Sequence, residues 1–150
     1  MAVFRFRLRA SLKLADQALQ RTEQRLAEEL QKLNAFKENQ WMWQKRLRDA
    51  LREKKAAGQT APAELGRWQA YTQRCDQSLR SAQEQMKKQE EVVIEARQAV
   101  LEANREVEKL KRLKEKQWRA FLEEEQKKEQ KILDETGQIL YQLQKKEVIF

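Results

Sequence analysis

Histidine is absent from this chain, and glycine and proline together supply four residues in 150 (three Gly, one Pro). Sheets need frequent turns, and turns need those two residues, so β and α/β architectures are excluded. Neutral-pH acid–base and metal chemistry leans on histidine, and phosphate cradles lean on glycine. The carboxylates are spread along charged stretches rather than gathered in a pocket that would raise a pKa. No enzymatic activity, cofactor or metal is therefore expected. The single cysteine, Cys75, cannot close an intramolecular disulfide, which suits the cytosol. No apolar run approaches a membrane span or the core of a signal peptide, so direct membrane insertion is not expected. The acid-free opening Val3-Phe4-Arg5-Phe6-Arg7-Leu8-Arg9 resembles a transit peptide in composition. It runs straight into a regular repeat, however, and reads as mature protein.

What is abundant is charge, at 37% of residues against 40% hydrophobic, a ratio too polar for a thick globular core. The apolar residues recur every seventh position. From Leu12 one series reads Leu12, Leu19, Leu26, Leu33, Gln40, Leu47 and Lys54, and a second, three residues on, reads Ala15, Thr22, Glu29, Phe36, Trp43 and Ala50. These are the a and d positions of one amphipathic helix. The pattern stops at Ala56-Ala57-Gly58-Gln59-Thr60-Ala61-Pro62, where Gly58 suits the end of a helix and Thr60 with Pro62 suits the start of another. It resumes as Leu65, Thr72, Leu79, Met86, Val93, Val100 and Val107 at a, with Trp68, Cys75, Ala82, Gln89, Ala96, Ala103 and Leu110 at d.

The expected fold is all-α: two long helices in an antiparallel coiled-coil hairpin, forming a single domain over 1–150. Helix 1 is placed at about 4–56, the turn at about 57–62 and helix 2 at about 63–145. With the turn centred near Ala61, Leu19 faces Ala103, Thr22 faces Val100, Leu26 faces Ala96, Trp43 faces Leu79, and Phe4 falls opposite Trp118. Large residues meet small ones repeatedly. A register slipped by one heptad would serve the same pattern. The second helix outlasts the first and is unpaired after about Leu122. There Ile132, Leu133, Ile139, Leu140 and Leu143 form a fresh apolar stripe that something other than helix 1 must bury.

Charge is uneven. Residues 1–57 hold 14 Lys/Arg against 7 Asp/Glu, whereas residues 58–150 hold 18 against 17. Arg5, Arg7, Arg9 and Lys13 precede the first acid, and in the expected register they lie beside Lys109, Lys111, Arg112, Lys114 and Lys116. A solvated face is the plain reading of such a run. Its concentration from both helices favours docking to an acidic partner. Nucleic-acid binding would call for a basic region forking from a dimer or an aromatic stacking platform, and neither is present. Trp43 and Trp68 occupy d positions and read as core, as does Cys75. Trp41 and Tyr71 fall outside the seam and read as contact residues, because large aromatics exposed on a polar helix need a partner.

Three stretches resemble a known family, the flagellar type III export coiled-coil proteins (FliJ family), with the injectisome stalk protein as nearest cousin. They are Phe4-Arg5-Phe6-Arg7-Leu8, Leu65-Gly66-Arg67-Trp68-Gln69-Ala70-Tyr71, and Val107-Glu108-Lys109-Leu110 through Leu113-Lys114-Glu115-Lys116-Gln117-Trp118, followed by Glu129-Gln130-Lys131-Ile132-Leu133-Asp134-Glu135. The Trp41 and Trp43 pair and Cys75 depart from the family pattern. The resemblance implies a non-enzymatic stalk and adaptor of the hexameric export ATPase, cytoplasmic and peripherally associated with the inner-membrane export apparatus. It also implies contact with the cytoplasmic domain of the export-gate membrane protein and handling of export chaperones. Placed on this sequence, the ring contact would fall to Arg5, Arg7, Arg9, Lys13, Lys114, Lys116, Arg119, Ile132, Ile139 and Leu143, and the gate contact to Trp41 and Tyr71. The remaining classes are a structural coiled coil that dimerises through its late stripe and a basic nucleic-acid binder.

Overall fold

In the computed structural model, which describes residues 2–149 and side chains through residue 147, helix α1 runs Arg9–Thr60 and helix α2 runs Leu65–Ile149. A single 3-10 turn, Pro62–Glu64, joins them. The fold is an all-α helical hairpin with helices of 52 and 85 residues and no strand among the described residues.

The chain divides into two compact units, one spanning Gln17–Asn104, the other comprising residues up to Asp16 with those from Arg105 onward. The first, here the turn unit, holds most of α1 against the first part of α2. Its a and d residues are all buried or half-buried. The tightest positions are small: Ala50, Cys75 and Ala96 are each 1% exposed and Ala82 2%, so the helices approach closely where a bulky side chain would hold them apart. The hydroxyls of the seam threonines are satisfied within their own helices, Thr22 donating to the Leu19 carbonyl at 2.8 Å and Thr72 to that of Trp68 at 2.7 Å.

The helix break differs from the sequence expectation. Gly58 does not end α1: it lies inside the helix, and no glycine has a positive φ. Helical bonding continues through Ala61 N–H to the Ala57 carbonyl at 2.8 Å, and the break comes at Ala61, with φ −145° and ψ 72°. A residue before proline is disfavoured in the helical region, so Pro62 sets the turn and no left-handed cap is needed. Helix α1 therefore ends four residues later than the expected 56, and α2 starts at Leu65 rather than 63.

The second unit, here the strap unit, also begins differently. Residues 2–6 are not helical, residues 7 and 8 form a turn, and α1 starts at Arg9 instead of about residue 4. Phe6 is buried and Phe4 half-buried, while Arg5 and Arg7 between them are exposed. Two aromatics at alternate positions can turn inward together only on extended chain, since a helix would set them about 200° apart. The apolar–basic alternation therefore overrides the helical pattern behind it. In the same unit Val107 and Leu110 are buried and Leu12 and Ala15 half-buried.

Candidate interaction surfaces

The turn unit carries four aromatic side chains of interest, Trp41 and Trp43 on α1 and Trp68 and Tyr71 on α2. Trp43 and Trp68 are half-buried in the seam. The Tyr71 ring stands edge-on to Trp68, with centroids 6.0 Å apart and planes at 78°. Hydrogen bonding between its hydroxyl and the side chain of buried Cys75, one turn further along α2, followed by electrostatic interaction with that residue and by burial, raises the Tyr71 pKa above its ordinary value. Tyr71 remains 39% exposed and lines a shallow groove with Asn39, Trp43, Arg74 and Ser78. Trp41 is 62% exposed and is not among the groove's lining residues. Its ring lies under the Lys45 ammonium at 5.5 Å, while the Arg46 guanidinium covers Trp43 at 4.9 Å. The two aromatics expected at a contact are thus distinct: Tyr71 belongs to a groove that includes seam residues, and Trp41 to an open basic face.

The strap unit gathers a different set. The Phe4 ring meets Trp118 edge-on at 5.1 Å and Phe121 at 5.5 Å, and Trp118 stacks on Phe121 at 5.8 Å with planes 22° apart. This cluster clasps the extended segment onto α2. It places exposed Arg5 and Arg7 in the same unit as exposed Arg9, Lys13, Lys114, Lys116 and Arg119. Arg119 is held by Glu115 of the preceding turn at 2.7 Å, an exposed pair of small energetic consequence. Phe121 had not stood out in the sequence, because the apolar series was followed only to Val107 and Leu110; it lies two heptads beyond Val107 on the same row, with Lys114 between. The available signal was its spacing three residues after Trp118, which sets both rings on one helix face.

Beyond Glu125 on α2 every residue through Glu147 is exposed. Ile132 is 62% exposed, Leu133 66%, Ile139 58%, Leu140 57% and Leu143 53%. No group of side chains suited to hold a metal ion occurs among the described residues, and no described helix is long and apolar enough to cross a membrane.

Comparison with known proteins bears on the family of the chain. The family model described as Flagellar FliJ protein matches residues 4–146, nearly the whole chain. No curated protein and no solved structure matches it.

Proposed function

Since the chain belongs to the flagellar FliJ family, a component of the flagellar export apparatus, we propose that it acts as a non-enzymatic stalk and adaptor of the hexameric export ATPase. In this reading it works in the cytoplasm at the inner-membrane export apparatus. The strap unit engages the ring through Arg5, Arg7, Arg9, Lys13, Lys114, Lys116 and Arg119, together with Ile132, Ile139 and Leu143 of the late stripe. Trp41 and Tyr71 of the turn unit meet the cytoplasmic domain of the export gate, and export chaperones are further partners.

One observation carries the reading: a single unit combines exposed cations from the strap, α1 and α2 with an apolar stripe that nothing among the described residues covers. Long-range charge raises encounter rates, while buried apolar contact governs how long a complex lasts. Reversing Arg5, Arg7 and Arg9 to Glu is expected to slow association with the ATPase and reduce its stimulation of ATP hydrolysis. Truncation after Leu122 should mainly speed dissociation. Full stimulation by both variants would remove this surface from the mechanism.

A further inference from the structure

The stripe on the late part of α2 has a charge pattern suited to its own copy. Ile132, Thr136, Ile139 and Leu143 repeat at intervals of four, three and four residues, which makes them d, a, d and a positions of a new heptad. Leu133 and Leu140 flank this row on one side, whereas Tyr141 points away from it by helical geometry. The row is bounded by Lys128 and Glu129 before it and by Lys146 and Glu147 after it. All four of these charges are exposed.

We propose that this stripe pairs with the same stripe of a second copy, the two α2 segments running antiparallel about a two-fold axis near Gly137 and Gln138. Ile132 then faces Leu143 of the other copy, Thr136 faces Ile139, and Leu133 faces Leu140. Of the bounding residues, Glu129 falls opposite Lys146, a charge of the other sign, and does so twice by symmetry. A parallel pair would set Glu129 against Glu129 and Lys146 against Lys146, so charge selects the antiparallel arrangement. Gly137 occupies the helical row between Leu133 and Leu140 and has nothing within 4 Å of where a Cβ would stand, which leaves room for close approach at the axis. Five aliphatic side chains more than half exposed on each copy offer roughly 1,000 Å² between them, at the lower edge of specific interfaces. The pair is accordingly weak and reversible. It does not rest on the ring contact proposed above. Where both hold, a second copy and the ring compete for the same stripe.

Sedimentation of the full chain at rising concentration tests this, with circular dichroism confirming that each variant stays helical. The parent is expected to dimerise at micromolar concentrations. Glu129→Lys and Lys146→Glu alone should each weaken the dimer roughly tenfold, since each turns two attractions into two repulsions. The double exchange should restore it, and mixing the two single variants should give a heterodimer. A parent that stays monomeric at tens of micromolar overturns the proposal. So does a dimer whose affinity ignores the single reversals.

Discussion

Gln89 of α2 donates from Nε2 both to the backbone carbonyl of Glu29 on α1, at 3.0 Å, and to that residue's Oε2, at 2.6 Å. Gln89 is the one buried polar side chain among the described residues, and its bond to Glu29 is a direct polar tie between the two helices of the turn unit. A slip of one heptad would carry the two groups about 10 Å apart and leave the amide unsatisfied inside the seam. The sequence left such a slip open, and this pair is a physical reason for a single register.

The same bond governs a pH dependence. Donation from Gln89, ahead of the opposing burial and the nearby Lys32, lowers the Glu29 pKa below its ordinary value. A carboxylate with a depressed folded pKa contributes stability that is present above its unfolded pKa and lost as pH falls through the folded one. Glu29→Gln should therefore melt below the parent at neutral pH, and the gap should close as the solution is acidified through the carboxylate range. Thermal melts of the two proteins at stepped pH check it. A gap that is constant with pH counts against the pair.

Gly58→Ala is expected to stabilise the protein by about 0.5–1 kcal/mol, because glycine inside a helix carries an entropic cost that alanine lacks. A Cβ at this position would lie 3.7 Å from Leu65 Cδ1, an ordinary contact. Had Gly58 been a left-handed cap, the same change would destabilise. Urea melts with an unchanged slope give the sign directly.

Phe4→Ala should release the extended segment from α2. The aromatic contacts with Trp118 and Phe121 are worth about 0.5–1.5 kcal/mol each beyond the area they bury. The variant should lose near-ultraviolet dichroism while keeping its helical content, and proteolysis before Arg9 should quicken. If cleavage and dichroism match the parent, the clasp does not hold the segment in solution.

Trp41→Ala and Tyr71→Ala, titrated against the cytoplasmic domain of the export gate, are each expected to weaken binding by about 2 kcal/mol with the melting temperature little changed. The two differ in one respect. Tyr71 is tied to Trp68 and Cys75, so its loss should perturb the groove beside Trp43 as well, whereas Trp41 touches only Lys45 among the contacts described and should act through binding alone. Parent-like affinity in both variants would place the gate contact elsewhere.

Two long helices, the greater length of the second, and the apolar stripe on each were determined by the sequence alone. A seven-residue apolar repeat is a local pattern, and four turn-forming residues leave no other architecture. Tertiary structure decided the rest. Phe4 and Phe6 stay extended because the ring cluster on α2 rewards period-two burial over another helical turn. Gly58 stays helical because the break is taken by the residue before Pro62, a steric effect that a tally of helix stoppers does not rank. The pairing of Gln89 with Glu29 depends on which turn of one helix meets which turn of the other. Periodicity repeats along each helix and so cannot choose among registers; one satisfied polar group between the helices can.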